Sequence, residues 1–145
     1  MSLDDLYKEV ILDHYKSPRN KRPLEDATVS VHKTNPLCGD EITIHARLGD
    51  GKVEAIAFEG QGCSISQASA SMLTESVAGK SVDDAAGLAT EFRAMMEGRA
   101  DPDEDAFGDL VALKGVARYP VRIKCAVLGW DTLQDALGEA GGRGS

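Results

Sequence analysis

Two alternating runs joined by a tight turn constrain this chain more than any other feature. Glu41 to Leu48 puts Ile42, Ile44, Ala46 and Leu48 on one side and Thr43, His45 and Arg47 on the other. Val53 to Phe58 repeats the alternation less cleanly. Between them lies Leu48-Gly49-Asp50-Gly51-Lys52, where Asp-Gly supplies the positive backbone angles that a hairpin turn demands. Ala27 to Lys33, with Val29 and Val31 on one face, reads as a further strand. The result is a small antiparallel sheet with one apolar face, which must be covered by something else.

The cover is helical. Leu3, Leu6, Tyr7, Val10, Ile11 and His14 recur at three- and four-residue spacing over Leu3 to Lys16, and Pro18 stops that helix. Ser64 to Val77 is rich in Ala, Ser, Met and Leu, and Gly79 ends it. Ser81 opens a helix running to about Glu97, and Phe107 to Lys114 forms a short one. Tyr119-Pro120 opens the last helix, with proline where its missing N–H costs nothing. Gly98 to Asp105, acidic and holding Pro102, reads as a mobile loop, and Gly141 to Ser145 as a disordered tail. The expectation is an α+β fold, a three-stranded antiparallel sheet packed by helices. It occupies one domain over residues 1–145, a length that buries roughly two thirds of the unfolded surface.

Charge and composition narrow the function. A net charge of -8 argues against sequence-independent nucleic-acid binding, which depends on neutralising phosphates with Lys and Arg. No apolar stretch approaches the ~20 residues that span a bilayer. The acidic start Met1-Ser2-Leu3-Asp4-Asp5 lacks the basic-then-apolar order of a secretion signal, so a cytoplasmic protein is expected.

The chemistry rests on three cysteines, each in its own setting: Cys38 in Asn35-Pro36-Leu37-Cys38-Gly39-Asp40, Cys63 after Gly60-Gln61-Gly62, and Cys125 in Arg122-Ile123-Lys124-Cys125-Ala126. An odd number cannot all pair internally, and a reducing compartment keeps thiols free. Metal binding, nucleophilic sulfur chemistry and plain burial all remain open on these residues alone. Cys38 and Asp40 flank a glycine that lets both side chains bend towards one centre. Cys63 precedes a helix whose N-terminus favours a thiolate. Zinc accepts such a set of sulfur and carboxylate donors, although this is not the paired-cysteine spacing of zinc fingers. Arg122 and Lys124 serve either to hold thiolates or as ordinary solvated charges. His14, His32 and His45 read as packing or surface residues, since none adjoins a cysteine motif.

The motifs Leu37-Cys38-Gly39-Asp40, Gly60-x-Gly62-Cys63-Ser64-Ile65-Ser66 and Arg122-Ile123-Lys124-Cys125-Ala126-x-Leu128-x-Trp130 resemble the three cysteine motifs of the SufU branch of the IscU/NifU-N family of iron–sulfur cluster assembly proteins. Leu12-Asp13-His14-Tyr15-Lys16-Ser17-Pro18-Arg19-Asn20 is similar to that family's opening helix and turn. The likeness spans about Leu6 to Leu137. Lys124 stands where the scaffold branch has a histidine, and Gly98 to Ala117 matches an insertion of the SufU branch. The resemblance implies a SufU/IscU-like fold and a zinc ion held by Cys38, Asp40, Cys63 and Cys125. It implies a PLP-dependent cysteine desulfurase of the SUF system (SufS type) as partner, with Cys38 accepting the sulfur. A downstream iron–sulfur scaffold would then receive it, and Arg122 would steady the freed thiolate. Two alternatives accompany it: a scaffold carrying iron or a [2Fe–2S] cluster on the same ligands, and a non-catalytic zinc-stabilised activator of the desulfurase.

Overall fold

The computed structural model describes residues 3–36, 39–99 and 107–144. Helix α1 (Leu3–Lys16) is followed by strands β1 (Val29–Asn35), β2 (Asp40–Gly49) and β3 (Lys52–Gln61), then helices α2 (Ser64–Val77) and α3 (Val82–Met96), a 3-10 segment (Gly108–Arg118) and the long helix α4 (Pro120–Gly144). The strands form one antiparallel sheet in the order β1-β2-β3, the α+β arrangement expected. Leu48 faces Val53 and Gly49 faces Lys52, which leaves Asp50 and Gly51 as a two-residue turn with φ of 54° and 72°. Both central residues are left-handed, so the turn's twist matches that of its strands.

The inner face of the sheet presents Ile42, Ile44, Ala46, Ile56 and Phe58, all buried. Helix α4 lies against β1 and β2 and also packs on α2 and α3, while α1 covers α2 and the 3-10 segment. In this core Phe92 stacks on Trp130 with ring centroids 4.7 Å apart. Beside that pair Trp130 Nε1 donates to Ser69 Oγ at 3.2 Å, and Ser69 Oγ donates to the carbonyl of Ala126 at 2.6 Å. That chain of bonds ties α2 to α4 where both carry site residues.

β1 begins two residues after its expected start at Ala27, and β1 and β3 run two and three residues beyond their expected ends, for a physical reason. β1 continues to Asn35 because Asn35 pairs with Asp40 across the connection to β2. β3 continues through Gly60 to Gln61, since Gly60 lets the backbone press against Glu41 without a side chain in the way. The 3-10 segment extends to Arg118, past the short helix expected to end at Lys114. Its buried apolar residues Phe107, Leu110, Leu113 and Val116 recur every third position, the spacing that eclipses side chains in a 3-10 helix. Helix α4 is continuous through Gly144, taking in four residues read from the sequence as tail; glycine weakens a helix but leaves every N–H for the ladder. The expected mobile loop from Gly98 to Asp105 falls mostly outside the described residues.

The turn after α1 is seated on α2. Arg19 N donates to Ser71 Oγ at 2.9 Å, and Thr74 Oγ1 donates to the carbonyl of Arg19 at 3.2 Å. Asn20, at φ 60°, donates its side-chain amide to Thr74 Oγ1. The next residues lie along β3, with Phe58 N donating to Asn20 O and Arg22 N to Phe58 O, so part of that edge is covered. Among the described residues no helix is long and apolar enough to cross a membrane.

Candidate metal centre

Three elements end at one place. Asp40 opens β2, Cys63 is the residue before α2, and Cys125 lies in the second turn of α4. Asp40 and Cys125 are buried and Cys63 is half-buried. One carboxylate oxygen and the two sulfurs all lie within 4.8 Å of one another. The donor set is that of zinc. With sulfur about 2.3 Å and oxygen about 2.0–2.2 Å from the ion, a tetrahedron sets sulfur and oxygen roughly 3.5–3.7 Å apart. Cys63 Sγ stands 3.8 Å from Asp40 Oδ2, close to that spacing, and the Cys125 sulfur completes the group within 4.8 Å. The buried cluster of Asp40, Cys63 and Cys125 thus matches the zinc site implied by the sequence motifs.

Asp40 does two jobs with two oxygens. While Oδ2 faces the sulfur, Oδ1 accepts the backbone N–H of Cys63 at 2.8 Å. That bond fixes the carboxylate's rotation, as an outer partner does for a metal ligand. It works only because Gly62 sits between them: a Cβ there would lie 2.2 Å from Asp40 Oδ1. Gly62 has φ 148°, a conformation side chains resist, so the glycine serves both the close approach and the backbone angle. Cys63 itself takes the N-cap position of α2 at φ -69° and ψ 165°. Its sulfur therefore lies at the positive end of that helix.

Arg122 stands beside this charge. The sulfurs of Cys63 and then Cys125 raise its pKa above the ordinary arginine range, through their charge and through hydrogen bonding. Lys124 is exposed. Cys38, expected as the remaining ligand and as the sulfur acceptor, lies outside the described residues. The group contains no histidine. His32 bonds Thr43 and His45 lies between Ser30 and Glu59 on the outer face of the sheet. His14 is buried against Ser71.

Sequence reasoning did not find the groove beside the centre. It has a volume of about 940 Å³ and is lined by Ile11, Cys63, Ile65, Val116, Tyr119 and Arg122, among others. Tyr119 and Val121 are large apolar residues left 62% and 65% exposed at its edge, which makes this an open apolar margin around the Cys63 sulfur. The 3-10 segment forms one wall, but of its three-residue apolar repeat only Val116 lines the groove, so that repeat did not reveal it.

Comparison with known proteins agrees with this geometry. Residues 6–126 match the family model described as NifU-like N terminal domain. The chain is 46% identical over 141 residues, 97% of its length and 95% of the relative's, to "Zinc-dependent sulfurtransferase SufU" of Bacillus subtilis. It is 42% identical, over 93% of its length and 84% of the relative's, to "Iron-sulfur cluster assembly scaffold protein IscU" of Streptococcus pyogenes. Among solved structures it resembles one described as a putative iron–sulfur cluster assembly scaffold protein for the SUF system of Fervidobacterium islandicum. That likeness has a TM-score of 0.85 at 34% identity, covering 94% of this chain and 99% of the other.

Proposed function

This chain belongs to the IscU/NifU-N family, and we propose that it works there as a zinc-dependent sulfurtransferase, accepting persulfide sulfur from a cysteine desulfurase for iron–sulfur cluster assembly. The observation that carries the reading is the convergence of Asp40, Cys63 and Cys125 within 4.8 Å, in a chain so similar to a protein named for that activity. Cys38 completes the ligand set in this proposal. Only Gly39 separates it from Asp40, so covalent geometry keeps the two Cα atoms within about 7 Å. Bound zinc supplies a charge that keeps the sulfurs as thiolates at neutral pH.

The chain's own residues then do the following. Cys63 and Cys125 hold the centre from two helices, and Asp40 holds it from the sheet. The Cys38 thiolate attacks the outer sulfur of the partner's persulfide. A new S–S bond forms on Cys38, the partner's S–S bond breaks, and the partner's cysteine leaves as a thiolate. The proton, where present, stays on the transferred sulfur, and no outside oxidant is needed. The groove beside Cys63 gives an approaching chain an apolar footing, and the Arg122 guanidinium stabilises the anionic sulfur during exchange. The partner is a PLP-dependent desulfurase of the SUF system, and a downstream scaffold receives the sulfur.

The test is alanine release from cysteine by the cognate desulfurase, with and without the zinc-loaded chain. Strong stimulation, with persulfide found on the chain by mass spectrometry, is expected; Cys38→Ser should abolish both. Stimulation that survives in Cys38→Ser would instead assign the chain as a non-catalytic activator. A scaffold role, the function named for the Streptococcus pyogenes relative, predicts a stable iron–sulfur cluster after anaerobic reconstitution and no stimulation. The guanidinium is tested separately. Arg122→Ala should slow sulfur acceptance by about tenfold, one charge-assisted hydrogen bond, while zinc content stays unchanged. Zinc loss in that variant would make Arg122 a structural neighbour of the centre instead.

A further inference from the structure

A second group of metal-binding side chains lies outside the thiolate centre and shares no residue with it. His14 on α1, Glu75 on α2 and Asp109 in the 3-10 segment bring three ligand atoms within 4.8 Å of one another. His14 Nε2 stands 3.2 Å from Asp109 Oδ2 and 3.6 Å from Glu75 Oε1. We propose that these three residues form a sulfur-free site for one divalent first-row transition ion.

The geometry and charge both suit an ion. Nitrogen and oxygen ligands at about 2.0–2.2 Å from a tetrahedral ion are separated by roughly 3.3–3.6 Å, which brackets the spacing found to within a tenth of an ångström. A neutral imidazole and two carboxylates carry a charge that a divalent ion cancels. The imidazole is 1% exposed and held from behind, with Nδ1 2.8 Å from Ser71 Oγ. When Nδ1–H donates to Ser71 Oγ, the Nε2 lone pair is left for a metal, the usual support of a ligating histidine. The carboxylates are 49% and 62% exposed, and a cleft of about 290 Å³ lined by Glu75 and Asp109 adjoins them. An ion can therefore enter from water and keep water in its remaining positions. Two cations compete. Arg19 Nε lies 4.0 Å from Glu75 Oε1, but its Nη2 is engaged by Asp13 Oδ2 at 2.7 Å. Lys80 also lines the cleft.

Occupation would pin the 3-10 segment to α1 and α2. The same segment forms a wall of the groove beside Cys63, so the ion would stiffen the rim of the sulfur-transfer site without touching it. The alternative is that His14 merely bonds the two carboxylates as a clasp.

Cobalt separates the two. The zinc-loaded full-length chain is titrated with Co2+ while absorption and bound metal are recorded. One further equivalent is expected, with weak ligand-field bands and no thiolate-to-cobalt charge-transfer band. Asp109→Asn and Glu75→Gln, both at exposed positions, should each weaken that equivalent at least about tenfold and leave the zinc of the thiolate centre in place. No second equivalent, or one that both substitutions leave unchanged, overturns the proposal and leaves the clasp. Alanine release and thiolate-bound zinc are measured separately, so failure here does not bear on sulfur transfer.

Discussion

Cys63→Ser should strip the centre of its zinc. A serine hydroxyl stays protonated at neutral pH and offers neither the charge nor the soft donor that zinc selects. Removing a supporting partner alone costs 10–100-fold in metal affinity, so loss of a direct ligand should exceed about 100-fold. Metal analysis after dialysis against a mild chelator should show near-stoichiometric zinc in the wild type and almost none in the variant. Added zinc should raise the melting temperature of the wild type well beyond that of the variant, since an ion that binds only the folded state stabilises in proportion to the logarithm of its concentration over Kd. Full zinc retention by Cys63→Ser would remove this residue from the ligand set, and with it the geometric basis of the proposed function.

Gly62→Ala should be nearly as damaging although it removes no ligand. Its new Cβ would meet Asp40 Oδ1 at 2.2 Å and Asp40 Cα at 2.9 Å, and the second contact cannot be relieved by turning a side chain. The backbone angle adds strain of roughly 1–3 kcal/mol for any residue but glycine. The carboxylate must give way, so zinc affinity and thermal stability should fall together. Gly87→Ala is the matching control. Gly87 lies within α3, exposed and with nothing within 4 Å of an added Cβ. There alanine should stabilise by about 0.4–1 kcal/mol and leave zinc untouched. If Gly62→Ala melts like the wild type with its zinc intact, the close packing of Gly62 on Asp40 is not what holds the centre together.

The parts of the fold that were legible in sequence are those decided by local physics. The period-two alternation from Glu41 to Leu48 and the Asp50-Gly51 turn set the hairpin and its register, because pleat and turn conformation are properties of neighbouring residues. Helix α2 begins at Ser64 and ends at Val77, as its composition and the following Gly79 indicate. The strand ends were not legible, because what prolongs β1 is Asn35 meeting Asp40 and what prolongs β3 is Gly60 lying against Glu41. The groove and the His14, Glu75 and Asp109 group were hidden for a related reason. They arise where α1, α2 and the 3-10 segment meet, and no local pattern marks a junction between elements so far apart in the chain.

The candidate centre divides along the same line. The cysteines, the aspartate and the glycines around them could be named from motifs, since each needs a particular residue type: a soft donor, a short carboxylate, a position free of Cβ. That Asp40, Cys63 and Cys125 meet was decided only when α4 packed against the sheet and α2, an outcome of burying apolar faces that involves no metal donor. The chain alone determined which chemistry was possible, because donor type and backbone freedom belong to individual residues. Tertiary packing determined where that chemistry stands, because the distance between residues 40, 63 and 125 depends on how separate elements cover one core.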